Sequence, residues 1–246
     1  MTGVSAFAVD EGAATALMGA AAVLIWNDVA EEGRSEFYEW HDKEHVPERL
    51  AIPGFRRGRR FARPRHSPEW LTIYEADELA VLTSSPYLAR LNAPTAATQR
   101  ALKHFRNTSR AVCRVVHSRG SSTGGHMLAM RLAVPPEASG SMREYLATDA
   151  LPGAMSLTGV VACHLCAADE AASYVRTAES GTRRFDVPSW VLLCEATFAE
   201  AAERARQLFD GPELRRLGVE VRSDAATYAL EICRESPAEE ASRAAV

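Results

Sequence analysis

The sequence predicts an α+β protein built from two tandem halves, each with the element order β-α-β-β-α-β. Near the middle of the 246 residues lies Arg119–Gly125, with the sequence RGSSTGG, a run of small residues that is typical of a linker. Strand-like and helix-like stretches follow one another in the same order on both sides of this run. Several residues also match between the two sides, which favours an internal repeat.

The first half contains four predicted strands. They are Ala22–Asp28, Phe55–Phe61, Trp70–Ala76 and Ser109–Val116. Ser35 is the predicted N-cap of a helix that begins at Glu36, and Pro47 together with Pro53-Gly54 is predicted to end it. Two further helical stretches are predicted, Leu79–Leu91 and Thr95–His104.

The second half repeats this order. Its predicted strands are Met127–Val134, Gly159–Cys166, Trp190–Ala196 and Ala226–Cys233, and its predicted helices are Ser141–Ala150 and Ala199–Phe209. An offset of 105 residues pairs Trp40 with Tyr145, Pro47 with Pro152, Leu50 with Met155 and Gly54 with Gly159. An offset of 120 residues pairs Trp70 with Trp190, so an inserted loop is predicted around Ala167–Val187.

These boundaries divide the chain into five segments. We expect a flexible tail over 1–20, a domain with the site over 21–119, the linker at 120–125, a degenerate domain over 126–235 and a second tail over 236–246. A four-stranded sheet with helices on one face leaves its other face bare, so the two halves are expected to pair with each other. Further pairing of two chains is compatible with this organisation.

Composition narrows the class of protein. The chain is 47% hydrophobic and 24% charged, with a net charge of −4, which does not favour nucleic acid as a partner. No apolar run is long enough to span a membrane. The five cysteines all lie in apolar stretches and are interpreted as reduced core residues of a cytoplasmic protein. Cys163 and Cys166 lack the second ligand pair that a zinc knuckle needs.

Three runs of the first half carry a resemblance to a known family. These runs resemble the EthD-like branch of the dimeric α+β barrel superfamily. They are Trp26–Asp28, Glu36–Pro47 with the sequence EFYEWHDKEHVP, and Ile52–Phe55. The resemblance implies a barrel of two ferredoxin-like halves, with antiparallel sheets inside and helices outside. It does not select a reaction, because that superfamily includes isomerases, cyclases, lyases, cofactor-free monooxygenases and haem enzymes.

His41 and His45 are the predicted catalytic residues. They lie four residues apart on the predicted helix and share one face with Phe37, one turn earlier. The alternative is a solvated polar face. The repeat favours function, because His41 corresponds to Leu146 and His45 to Ala150, so the scaffold does not require imidazoles there.

Other candidate residues surround this pair. Asp28, at the end of the first strand, is expected either to orient a histidine or to cap a turn. The expected substrate-binding residues are Phe37, Trp26, Tyr74, Arg59 and Tyr87. Arg57 and Arg59 are predicted to share a strand face with Phe55 and Phe61, and Arg60 to lie on the opposite face. An H-x-x-E-H protease site is disfavoured, because no distal acidic ligand is evident. A metal held by the two histidines and a carboxylate is a further alternative.

The first hypothesis for function is a cofactor-independent enzyme that uses histidine acid–base chemistry on a small aromatic or lactone-type compound, as a lyase, isomerase or hydrolase. No Gly-rich nucleotide fingerprint is present, so no cofactor is expected. The alternatives are a cofactor-free monooxygenase and a non-enzymatic protein that binds a small ligand. Haem is disfavoured, because the only second-half histidines are His126, beside the linker, and His164, in a strand.

Overall fold

Eight strands form one closed antiparallel barrel, and the helices lie outside it. The computed structural model describes residues 16–184 and 186–237. The first half contributes β1 (Ala21–Val29), β2 (Phe55–Ala62), β3 (Trp70–Ala76) and β4 (Phe105–Arg119). The second half contributes β5 (His126–Ala133), β6 (Val160–Ala168), β8 (Trp190–Ala196) and β10 (Ala226–Glu235). Two-residue strands, β7 (Arg183–Arg184) and β9 (Glu220–Val221), pair with β4 and β5 respectively.

Pairing between the edge strands of the two halves closes the barrel. Within the first half the strand order is β4-β1-β3-β2, and within the second it is β10-β5-β8-β6. The edge strand β2 pairs with β10, and β6 pairs with β4. The face that each sheet turns away from its helices therefore lines one shared interior instead of remaining open to water.

The element bounds of the two halves recur at constant offsets. β1 begins at Ala21 and β5 at His126, β2 at Phe55 and β6 at Val160, each 105 residues later. β3 begins at Trp70 and β8 at Trp190, 120 residues later. The predicted element order and the 15-residue insertion between these offsets are thus present in the structure.

The first helix runs past Pro47 and ends at Leu50, so the prediction that Pro47 helps to end it was wrong. α1 (Arg34–Trp40) continues through one π-helical turn, His41–His45, into α2 (Val46–Leu50). Proline has no N–H and its ring clashes with the carbonyl four residues earlier, and the wider turn accommodates both effects. In that turn the Val46 N–H donates to the His41 carbonyl, five residues earlier.

Ser35 does not cap this helix. A 3-10 turn at Glu31–Gly33 leads directly into α1, and Gly33 stands at the N-cap position. The second half has the same arrangement, with α5 (Ser139–Tyr145), a π-helical turn at Leu146–Ala150 and α6 (Leu151–Met155). The remaining helices are α3 (Ser85–Asn92), α4 (Ala96–Lys103), α7 (Glu170–Ser173), α8 (Ala199–Phe209) and α9 (Pro212–Arg216).

Each strand turns one face to the barrel interior and the other to the helices. Trp26, Phe61, Leu71 and Tyr228 lie in the interior cluster. The opposite face of the first sheet meets its helices through a second set, which includes Val23, Tyr74 and Val46. We call the space between α1–α2 and the first sheet the first helix layer. Its counterpart in the second half is the second helix layer.

Phe55 lies on the face opposite to the predicted one, because β2 has a bulge at Arg56. Phe55 pairs with Ala76 and Arg57 with Glu75, so Arg56 is an extra residue in β2. Phe55 therefore faces the first helix layer, whereas Arg57 and Arg59 face the interior. One extra residue reverses the alternation of a strand, and the sequence pattern alone does not reveal it.

The inserted loop of the second half reaches across to the first half. We call residues 169–184 the strap. The Asp169 N–H donates to the Val112 carbonyl at 2.8 Å, and the Ser173 hydroxyl accepts from the Val112 N–H at 2.9 Å. Further along, the Ala178 N–H donates to Asn92 Oδ1 at 3.2 Å. The strap thus covers β4 and α3 of the first half.

The predictions for the N-terminal tail and for the cysteines were each wrong in part. Ala16 and Leu17, placed in the predicted N-terminal tail, are buried. The tail predictions for 1–15 and 238–246 lie outside the described residues. Cys233 is exposed, whereas the other four cysteines are buried and all five are free. Among the described residues, no helix combines the length and apolar character that crossing a membrane requires.

Candidate functional site

His41 is enclosed in the first helix layer. The residue is only 3% exposed, and its ring packs against the ring of Phe37 at 5.3 Å between centroids. Tyr74 reaches it from β3, and Arg60 reaches it from β2. Gly58 makes room for the phenol, since a Cβ there would lie 3.1 Å from Tyr74 Cε1.

The contacts of His41 determine its tautomer. Arg60 Nη1 lies 2.9 Å from His41 Nδ1, and a guanidinium only donates hydrogen bonds. Nδ1 must therefore accept, which places the proton of the neutral ring on Nε2. Nε2 lies 3.5 Å from the Tyr74 hydroxyl, a contact at the limit of a hydrogen bond. His41 consequently presents an N–H towards the phenol oxygen.

Burial and nearby positive charge keep His41 neutral. Burial lowers the pKa of His41 well below its usual value of 6.5, and the guanidinium charges of Arg60 and Arg49 lower it further. Burial also raises the pKa of the Tyr74 phenol well above 10. Both groups are therefore neutral near pH 7.

His45 lies one turn further along the same helix. Its ring stacks on the Trp40 ring at 4.2 Å and lies 5.7 Å from the His41 ring. The Trp40 indole donates to Thr98 Oγ1 of α4 at 3.0 Å, which fixes its orientation. The two imidazoles therefore share one enclosure, as their spacing predicts.

Three arginines bring positive charge into this layer. Arg49, Arg60 and Arg110 are each at most 4% exposed. Arg60 Nε donates to Glu231 of β10 at 2.7 Å. Arg110 Nη2 donates to the Tyr87 hydroxyl at 3.3 Å, and the Arg49 guanidinium lies 5.8 Å from the Tyr87 ring centroid. Tyr87 therefore connects Arg49 and Arg110.

The strap supplies a second-half residue to this first-half site. Glu179 is 5% exposed, and its Oε1 accepts from Arg49 Nη2 at 2.5 Å. The Ala172 carbonyl accepts from Arg110 Nη1 at 3.5 Å. The site is thus built from both halves of the chain.

The second helix layer provides an internal comparison. At the corresponding positions, His41 is matched by Leu146, His45 by Ala150, Arg49 by Ala154, Arg60 by Leu165 and Tyr74 by Cys194. All five second-half residues lie in one buried apolar cluster. The second half therefore has the same element order with apolar residues at all five positions.

Three predicted site residues lie elsewhere. Trp26 faces the barrel interior, where Arg131 stacks over it at 4.7 Å. Arg59 is also interior and bonds to Glu75 at 2.8 Å and Glu195 at 2.9 Å. Asp28 accepts from the Glu69 N–H at 2.6 Å and from Asn107 at 2.8 Å, so it holds the β2–β3 loop. The sheet separates Trp26 and Arg59 from His41.

Three site residues, Arg49, Arg110 and Glu179, were not among the candidates. Of the second-strand arginines, Arg59 was predicted to bind the substrate, whereas the structure brings Arg60 to His41. The offset of 105 residues already pairs Arg49 with Ala154 and Arg60 with Leu165, so extending the comparison beyond the histidines would have identified both. Glu179 carries no such signal, because the strap has no counterpart in the first half.

Metal ions and haem both need suitably placed ligand side chains. Within the described chain, no three His, Cys, Asp or Glu side chains form a group suited to a metal ion. Cys163 and Cys166 lie on opposite faces of β6. In the second half, His164 is buried inside the barrel, with Nδ1 2.7 Å from Ser118 and Nε2 3.4 Å from Glu195. That environment does not fit a haem ligand.

No family model and no curated protein matches the chain. Solved structures resemble it over most of its length. An anthrone oxidase-like protein shares 14% identity over 91% of this chain and 96% of that one, with a TM-score of 0.58. A candidate monooxygenase from Fusobacterium nucleatum shares 10% identity over 89% and 95%, with a TM-score of 0.53.

A mutant chlorite dismutase from Candidatus Nitrospira defluvii is also similar, with 10% identity over 87% of this chain and 92% of that one and a TM-score of 0.56. At these identities the likeness concerns the fold alone. That fold is an antiparallel eight-stranded α+β barrel with helices outside.

Proposed function

From the dimeric α+β barrel fold and the first helix layer, we propose that the chain is an enzyme that needs no cofactor and acts on a small aromatic or lactone-type compound. His41 is the principal reactive residue, and the reaction is a lyase, isomerase or hydrolase type of acid–base chemistry. In this proposal the chain is a fused pair of ferredoxin-like halves. The EthD-like first half keeps the site, and the second half serves as scaffold and strap.

One observation carries the proposal. Each polar group around His41 is replaced by an apolar residue at the matching second-half position, on the same scaffold. Burying an imidazole and guanidinium groups costs free energy unless every group is paired. A layer that keeps such groups where its counterpart is apolar is more readily explained by chemistry than by stability.

The geometry suggests how the residues act. The Nε2–H of His41 donates to a carbonyl or phenol oxygen bound where it now faces Tyr74, and it stabilises the negative charge that develops there. Arg60 holds this tautomer from the other side of the ring. The His45 ring centroid lies 5.7 Å from that of His41, and in this proposal His45 is the group that transfers the proton. This assigns His41 as a hydrogen-bond donor rather than as the base.

Cofactor-free oxygenation is the second candidate. The rings of Phe37, Trp40 and Tyr74 around the histidines suit an aromatic substrate held as a phenolate, and two similar structures are named as a monooxygenase and an oxidase-like protein. Oxygen consumption with a phenol would favour this reading over the first. A protein that only binds its ligand would give no product in either assay.

The test replaces His41 with the residue of the other half. In His41→Leu, we expect the fold to remain, because Leu146 occupies the same place in the second helix layer. Turnover of lactones and phenols, followed by mass spectrometry and an oxygen electrode without added cofactor, should fall by about 100-fold or more. The control is His66→Ala in the β2–β3 loop, which should keep full activity. Unchanged turnover in His41→Leu would overturn the proposal.

A further inference from the structure

We propose that the substrate of this site carries a carboxylate and that Arg110 binds it. This inference rests on the proposed function for the location of the site, and it adds the chemical class of the ligand. The inference depends on the partners of the buried arginines. Among the described residues, Arg110 is the buried arginine that contacts no carboxylate.

Six arginines are buried in the described residues: Arg49, Arg57, Arg59, Arg60, Arg110 and Arg131. Five of them contact a carboxylate. Arg49 pairs with Glu179, Arg57 and Arg59 with Glu75, Arg60 with Glu231, and Arg131 with Asp224. Arg110 has no carboxylate within ion-pair distance in the part of the chain that the structure describes.

The contacts of Arg110 leave donors unused. Its guanidinium reaches the Tyr87 hydroxyl at 3.3 Å and the Ala172 carbonyl at 3.5 Å, both long for a charged donor. Its Nε–H is buried and has no acceptor among the described residues. A cation that is 4% exposed and faces no anion is unfavourable unless a ligand supplies the missing charge.

The position of Arg110 connects it to the reactive residues. It lies on β4 opposite Ile25 of β1, and Tyr87 links it to Arg49 in the first helix layer. The offset of 105 residues matches Ile25 with Met130. Because Ala129 of β5 pairs with Ala226, the residue opposite Met130 is Ala225, which therefore corresponds to Arg110. Ala225 belongs to the apolar cluster of the second helix layer. Arg110 therefore follows the same pattern as His41.

The chemistry of the guanidinium favours a carboxylate. Arginine offers parallel N–H groups that match the two oxygens of a carboxylate. The expected ligand is an aromatic or lactone-type acid, with the carboxylate at Arg110 and the reacting oxygen at His41.

The experiment compares carboxylates with their neutral amides on the full-length protein. Benzoate, salicylate and 2-naphthoate, and the corresponding primary amides, are titrated by thermal shift and isothermal calorimetry. Carboxylates should bind at least about tenfold more tightly than the amides, and Arg110→Gln should remove this preference. The matched control is Arg106→Gln, an exposed arginine on the same strand that donates to the carbonyls of Lys103 and Phe105. It should bind as the unmodified protein does.

Folding of the variant is checked separately. Because Arg110 has no anionic partner, Arg110→Gln and Arg110→Met should melt no lower than the unmodified protein in the absence of ligand. Three results would overturn this inference. They are equal binding of carboxylates and amides, binding of neither, and a preference for carboxylates that remains in Arg110→Gln. Turnover of neutral compounds that depends on His41 would leave the proposed function standing. Carboxylate binding that depends on Arg110, without turnover that depends on His41, would support this inference and contradict the proposed function.

Discussion

His41 meets a different group at each of its two ring nitrogens. Arg60 donates to Nδ1 at 2.9 Å, and Nε2 faces the Tyr74 hydroxyl at 3.5 Å. Because Arg60 cannot accept, the tautomer follows from that one contact, whatever else binds in the layer. At the scale of residues, the tautomer of the imidazole is therefore set by an arginine on a neighbouring strand.

This geometry has a direct spectroscopic consequence. In a 15N NMR titration, the His41 ring should remain neutral, with the proton on Nε2, at pH 6.5, where an ordinary histidine is half protonated, since burial and the charges of Arg60 and Arg49 lower its pKa. Arg60→Leu, which copies Leu165, should raise that pKa towards its usual value and release Nδ1. Arg56→Gln on the same strand, half-exposed and bound to Asp77, serves as the control. An Nδ1–H tautomer in the unmodified protein would contradict the assigned contacts.

At the scale of elements, the first helix and the strap bring the site together. The helix presents Phe37, His41 and His45 and then continues past Pro47, because a π-helical turn avoids the clash that a regular turn would create. The same turn recurs at Leu146–Ala150, so it belongs to the scaffold and not to the chemistry. The strap has no counterpart in the first half, and it is the element that brings Glu179 to Arg49.

The strap should depend on this ion pair. In Glu179→Gln, Arg49 loses its closest carboxylate and keeps only Glu48, 3.9 Å away, so the variant should be less stable by up to about 3–5 kcal/mol. We expect hydrogen exchange at the Ala178 amide, which bonds to Asn92, to accelerate relative to strand amides. The control is Glu170→Gln, an exposed carboxylate of the same strap. Equal exchange in both variants would show that apolar contacts alone hold the strap.

Element order was largely predictable, but element ends and strand faces were not. Trp70–Ala76, Trp190–Ala196 and Ala199–Phe209 were predicted with the bounds that the structure has, because apolar periodicity is strong there. The helix start at Glu36 and the face of Phe55 were wrong. Both depend on details, a 3-10 lead-in and a bulge, that a local pattern does not encode.

At the scale of the whole molecule, a charged network inside the barrel joins the two halves. Arg59 of the first half bonds to Glu75 at 2.8 Å and to Glu195 of the second half at 2.9 Å. Glu195 also accepts from the Gly124 N–H of the linker at 2.9 Å and lies 3.4 Å from His164. All of these side chains are at most 1% exposed, so their hydrogen bonds replace those that water would provide.

Acid stability should report on this network. Burial alone would raise the pKa of Glu195, but the nearby His164 imidazole, 3.4 Å away, and the charge of Arg59 outweigh it and lower the pKa to about 2. A carboxylate whose folded pKa is lowered stabilises the fold above its unfolded pKa of 4.5, and that stability is lost as the pH falls towards 2.

Glu195→Gln should therefore unfold more easily in urea at pH 7, by about 3–5 kcal/mol, because Arg59 loses a buried partner. Its free energy of unfolding should also fall less between pH 4.5 and 2 than that of the unmodified protein. Glu220→Gln, exposed on β9, should change stability by about 0.5 kcal/mol or less. A Glu195→Gln protein as stable as this control would mean that apolar contacts alone close the barrel.

The sequence by itself determined the order of the elements, the two halves and the histidine pair that one half has and the other lacks, because these depend on local periodicity and on comparison within one chain. Tertiary structure decided which groups meet. Arg60 reaches His41, Arg59 does not, and Glu179 arrives from the other half. Strand register, one bulge and the path of the strap set these contacts, and they arise from pairing between residues far apart in the chain.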